Sequence, residues 1–162
     1  MPENCEKSAE RGKIIVRIIR ISTQNEISVH EYPAIRENEI LQMLIGNGCS
    51  FYEHVMPRRL YQKYGAIADV TTVPGEAIAM LVDEEGLLKK NEVNAVGSVL
   101  YESDKHGTPI VGNILIVGKK WYNSGISFCG IEEEQFRRIY PQLEKLSNRM
   151  KKIMDKSTEV AE

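Results

Sequence analysis

Two short stretches of the 162-residue chain combine cationic and aromatic side chains at spacings that suit recognition chemistry. The first, within 57–75, sets Arg58, Arg59 and Lys63 among Tyr61 and Tyr64; the second, GKKWYNSG, carries Lys119, Lys120, Trp121 and Tyr122. Guanidinium forks match phosphate oxygens and the faces of Tyr and Trp stack on bases, so together they suit a nucleotide or a short single strand. The same Arg and Tyr residues serve equally as anchors in a protein interface. The plainer reading is that long cationic side chains solvate two ordinary loops while tyrosines cover the edge of the core. All three readings use the same residues.

Groups that usually anchor an enzyme are present but dispersed. Cys49 and His54 are five apart, so a continuous strand aims them at opposite faces, and a buried structural cysteine is expected. His30, His54 and His106 fall in different segments, without the i, i+4 or His-x-x-His spacing that gathers metal ligands locally. Asp83-Glu84-Glu85 reads as turn chemistry, and Glu132-Glu133-Glu134 as acidic residues favoured at a helix N-terminus. The glycine-rich phosphate-binding patterns and the Gly-x-Ser-x-Gly elbow are absent. A non-enzymatic protein without cofactor or metal is therefore expected; the competing expectation is a hydrolase or nucleotide-modifying enzyme using Cys49, His54 or His106.

Bulk properties narrow the field further. With 21 Lys and Arg against 23 Asp and Glu, the formal charge of −2 lacks the basic excess of a general double-stranded DNA binder and the acidity of a DNA mimic. Cys5, Cys49 and Cys129 are odd in number and lack CxxC spacing, which predicts reduced thiols in a cytoplasmic setting. No apolar segment approaches the ~20 residues of a bilayer span, and the N-terminal stretch has no apolar signal-peptide region.

The elements that must position these residues follow from hydrophobic pattern. Three nearly unbroken apolar runs, Lys13–Ser22, Ala77–Val82 and Ile110–Val117, predict buried strands, the last two central. Arg17 and Arg20, three apart in the first, should leave opposite faces. Ile27–Tyr32 alternates as a half-exposed strand paired to the first, and Ser50–Met56 is a weaker strand. Glu37–Ile45 predicts a short helix stopped by Gly46-Asn47-Gly48. Asp83–Gly86 predicts a reversal with Gly86 at positive φ, Asn91–Tyr101 a helix capped by Asn91, and Ser103–Gly107 a polar turn. Phe136, Ile139, Leu143, Leu146, Met150 and Ile153 recur at 3,4,3,4,3 spacing, a helix face for packing on the sheet or, alternatively, for pairing two copies; Pro141 divides or kinks it. The fold expected is α+β: one domain over 13–156, a mixed, largely antiparallel sheet of about five strands packed by a long C-terminal helix, with a disordered leader over 1–12 and tail over 157–162.

The order KIIVRII, ISVHEYP, a helix leading to IGNG, then AIAMLVDEEGLL, Asn91–Ala95 and PIVGNILIVG resembles the bacterial and phage domain-of-unknown-function family three-eight-four-six, from Lys13 to about Leu146. That resemblance supplies no catalytic residue. It implies an accessory protein of phages or conjugative elements, and hence counter-defence: binding a signalling nucleotide or a nuclease effector, such as a CRISPR nuclease, in the cytoplasm of the bacterial host. A structural protein of element maintenance is the further alternative.

Overall fold

The computed structural model describes residues 14–161, with side chains through 156. The leader expected over 1–12 lies outside the described residues. Six strands, β1 (Ile15–Ile21), β2 (Ile27–Pro33), β3 (Tyr52–Val55), β4 (Ala77–Asp83), β5 (Ile114–Tyr122) and β6 (Gly125–Cys129), form one sheet. The order is β2-β1-β5-β4-β3, with β6 also pairing β5, and every ladder is antiparallel. The helices are α1 (Glu37–Ile45), α2 (Arg58–Tyr64), α3 (Ala95–Tyr101), α4 (Ser103–His106) and α5 (Glu133–Ala161).

The sheet is covered on both faces because its central strands are apolar on both. β4 is buried at all seven positions, and Ile114 to Val117 of β5 are almost completely buried. Ile19, Ile21, Ile78, Met80, Ile114 and Ile116 face α2, α3 and α5, whereas Val16, Ile18, Ala79, Leu81, Leu115 and Val117 face α1 through Leu41 and Ile45. Alternation along β1 sends its two arginines apart, as the spacing predicts: Arg17 pairs with Glu31 at 2.9 Å and lies over the Phe136 ring of α5, while Arg20 donates to the Leu44 carbonyl of α1 at 2.8 Å.

The final helix packs on the sheet through Ile139, Leu143 and Leu146, each worth about 1.5–3 kcal/mol relative to exposure. Glu132 caps it, its carboxylate accepting from the Glu134 and Gln135 amides at 3.0 and 3.1 Å. The helix runs on through Pro141 to Ala161, so 157–161, expected as a tail, continue it. Among the described residues no helix is long and apolar enough to cross a membrane.

Several local expectations are corrected. Residues 58–64 are helix rather than loop, and 103–106 form one helical turn. In the exit from β4, Asp83 Oδ1 accepts from the Glu85 amide, but the left-handed residue is Lys90 (φ 56°) and not Gly86. The cap of α3 is Asn94, not Asn91. β5 starts at Ile114 and carries on through Tyr122, so the second cationic stretch is the end of a strand, and β6 is a sixth strand beyond the five expected.

One crossing sets the geometry of the site. After β6 the chain passes over Gly118 of β5 on its way to α5, with the Glu132 amide donating to the Gly75 carbonyl at 2.9 Å and the Ile131 amide to that of Arg17 at 2.9 Å. A Cβ on Gly118 would lie 2.6 Å from Gly75 Cα and also overlap the Gly130 carbonyl. Only glycine admits that approach.

Candidate binding surface

The β5–β6 hairpin turns at Asn123 and Ser124, both left-handed at φ 46° and 63°, the pattern of a type I′ turn whose twist suits two tightly paired strands. The strands hold Trp121 opposite Ile126 and leave them 60% and 53% exposed, with Tyr122 beside them at 51%. Neighbours in a strand point to opposite faces, so Trp121 and Tyr122 present rings on both sides of the hairpin. Below Tyr122, a cleft of about 280 Å³ is lined by Lys120, Ser127 and Cys129 from the hairpin, Val16 from β1, Ala34 just after β2, and Glu37 at the start of α1. Burial pushes the Cys129 thiol up to about 11, with Lys120 lowering it and Glu37 raising it, so it is protonated at neutral pH.

The two cationic stretches do meet, but inward. Tyr61 donates its hydroxyl to the Ile78 carbonyl at 2.5 Å, and burial, then Asp69, raises its pKa beyond the ordinary phenol range. Lys119 is only 5% exposed; its Nζ donates to the Ala68 carbonyl at 2.5 Å and lies 6.0 Å from the centre of the Tyr61 ring. Desolvation lowers the Lys119 pKa, which Asp69 partly offsets. Arg59 pairs with Asp104 of α4 at 3.4 Å, Tyr64 packs against the core, and Lys63 lies over the Tyr64 ring. Within α2 only Arg58, Gln62 and Lys63 are exposed. Lys120, Trp121 and Tyr122 remain together on the outside.

The candidate catalytic groups are separate. The Cys49 thiol donates to the Phe51 carbonyl at 3.4 Å, and burial, then Asp83, raises its pKa. His54 sits on β3 against Phe128, its pKa lowered by burial and then by Lys119, and its Nε2 is buried without a hydrogen-bond partner. His106 is exposed on α4 beside Tyr101. Among the described residues no three His, Cys, Asp or Glu side chains are grouped to hold a metal ion. Sequence reading missed the cleft, which needs β1, α1 and β6 together and has no local signature.

Fold and surface define a one-domain α+β protein that presents a two-stranded aromatic hairpin above a mixed polar and apolar cleft. The chain belongs to the family described as Domain of unknown function (DUF3846), whose match covers residues 58–145 and so more than half of its length. The matched part runs from α2 into α5 and includes β4, β5 and β6; β1, β2, α1 and β3, with their KIIVRII, ISVHEYP and IGNG segments, lie before it. No curated protein and no solved structure matches the chain.

Proposed function

We propose that this is a non-enzymatic binding protein of a phage or mobile element that acts against a bacterial defence component by gripping a protein target. The observation that carries the binding part is the β5–β6 hairpin, where Trp121, Tyr122 and Ile126 stand more than half exposed on two paired strands. Large rings exposed outside the core are frequent centres of interfaces, since they desolvate much area when covered. The counter-defence part rests on the phage and conjugative-element setting that the family resemblance implies.

A protein target is favoured over a signalling nucleotide because three of the five cations that would gather phosphates are engaged within the fold, leaving Arg58 on α2 and Lys120 on β5 apart from one another. Arg59 is paired, Lys119 is buried and bonded, and Lys63 lies over its own helix's tyrosine. The hydrolase alternative has less support, as Cys49, His54 and His106 lie on different elements. Pairing of two copies along α5 is a further part of this reading, supported by Ile153, 51% exposed on the continuation of the apolar stripe.

The test is capture of a defence protein from host cells by the full chain. Trp121→Ala with Tyr122→Ala is expected to weaken it about thirtyfold or more, the loss that follows from removing about 2 kcal/mol or more at an interface centre. Equal capture by the double variant would remove the hairpin from the interface. Heat of binding with any of a panel of cyclic nucleotides would move the target to that class.

A further inference from the structure

The hairpin has one strand edge that its own pairing does not use. With a two-residue turn, Tyr122 and Gly125 are a hydrogen-bonded pair, and bonding alternates from there, so Ile126 and Phe128 turn their N–H and C=O groups away from β5. Among the described residues β6 has no strand on that outer side. β1 pairs with β5 over Ile19 to Ile21, and meets the segment that follows β6 where the Ile131 amide donates to the Arg17 carbonyl. Beyond that contact, toward Ile14 on one side and the hairpin turn on the other, β1 and β6 are not paired, and the 280 Å³ cleft fills the fork.

Two further features mark the fork as a recognition slot. Lys120 and Glu37 both line it, and among the described residues neither is held by an ion pair or a side-chain hydrogen bond. Both act on the Cys129 thiol, which places unpaired charges of opposite sign around one short length of the slot. At its mouth Ile14 is 58% exposed and Tyr122 51%. Exposed apolar side chains beside a strand edge without a partner are the conditions under which an extended chain adds to a sheet.

We propose that the fork between β1 and β6 takes up an extended segment of the partner protein by strand addition to β6. The segment's backbone pairs with Ile126 and Phe128, its apolar side chains lie against Val16 and Ala34, and it carries a carboxylate for Lys120 and an ammonium for Glu37. This rests on the protein-binding reading above and names its mode of contact. Backbone bonds supply affinity, and the two fixed charges set direction and register.

The test uses the full chain and amidated heptapeptides of alternating Val and Thr, with one Glu and one Lys on the same face in either order and a Gln, Gln control. One charge order should bind at least about tenfold more tightly than the other, a difference near 1.4 kcal/mol. The Ile126 and Phe128 amides should gain exchange protection on binding. Exchanging the charges, Lys120→Glu with Glu37→Lys, should reverse the preferred order. Ile126→Pro, placed where the N–H is outside the β5 ladder and proline is tolerated, should abolish binding while melting is unchanged. No binding by any peptide, or binding indifferent to charge order and to Ile126→Pro, overturns the proposal. So do Ile126 and Phe128 amides already protected in the free chain, which would assign the edge to this chain or a second copy. Capture lost on Trp121→Ala and Tyr122→Ala without peptide binding sinks the slot and keeps the protein-binding reading; peptide binding without such capture does the opposite.

Discussion

Asn94→Asp is expected to destabilise the protein by about 4 kcal/mol at neutral pH, a large share of the roughly 5–15 kcal/mol that holds a domain together. Asn94 is fully buried, and its amide nitrogen donates to the carbonyls of Ile21 at 3.0 Å and Gly112 at 2.9 Å, while its oxygen accepts from the Gly97 amide at 2.9 Å. One side chain thus ties the end of β1, the approach to β5 and the first turn of α3. A carboxylate keeps the cap on α3 but turns an acceptor toward two carbonyls that have lost their donor. Each such unsatisfied group costs about 1–3 kcal/mol, and the buried charge adds to it. Acid reverses part of the loss, since the protonated carboxyl donates to one carbonyl again. Burial raises the folded-state pKa of the introduced group above the roughly 4 of the unfolded chain. The folded form then holds more protons, so the deficit relative to wild type is smallest below pH ~4 and grows as pH rises through the folded pKa. Urea unfolding of both proteins across pH 3.5–8, a range chosen to bracket ~4, reads this as a midpoint gap that widens with pH at constant slope. A gap that does not change with pH would mean that the introduced group stays solvated. Asn94→Ala, which loses all three bonds, should be low at every pH.

Asn94 also shows what the sequence discloses and what it hides. An asparagine cap before Val96 and Leu100 is legible, but Asn91 and Asn94 are three apart and both suit the role. The choice is made by the Ile21 and Gly112 carbonyls, which belong to segments distant in sequence. Strands β1, β4 and β5 and helix α5 are legible because burial on one or both faces writes its period directly into the residues. Helix α2 is not, since RRLYQKY buries only Leu60 completely and has no side-chain cap. Its signals are Leu60 and Tyr64 at i, i+4 between Pro57 and Gly65. Strand β6 is obscured by a turn, Asn123-Ser124, that lacks the usual glycine. For the site, the exposed rings were legible. The inward course of Lys119 is foreshadowed only by its sharing a strand face with buried Leu115 and Val117.

Gly118→Ala is expected to lower stability by about 3 kcal/mol, the upper part of the range for forcing a methyl group into a filled space. The atoms in its way are main chain: Gly75 Cα, 2.6 Å from the added carbon, and the Gly130 carbonyl. Neither swings aside as a side chain would, because Gly75 is bonded to the Lys119 carbonyl at 3.0 Å and Ile131, next to Gly130, to that of Arg17. Relief requires the crossing strand to lift, which weakens the seat of Ile131 and of α5 on the core, where Ile131, Ile139, Leu143 and Leu146 are buried. The melting temperature should fall by about 6–12 °C for a chain of this size. Gly125→Ala is the control, because its added carbon meets nothing closer than the Tyr122 carbonyl at 3.7 Å and its φ is not left-handed. That variant should melt within about 2 °C of wild type, as for a change within ±0.5 kcal/mol. Gly130 also lines the fork, so any lift of the crossing moves β6 relative to β1. Folded Gly118→Ala should therefore bind the heptapeptides more weakly than Gly125→Ala does. Equal melting of the two variants would show that the crossing is loose, and with it the fixed spacing on which the strand slot depends.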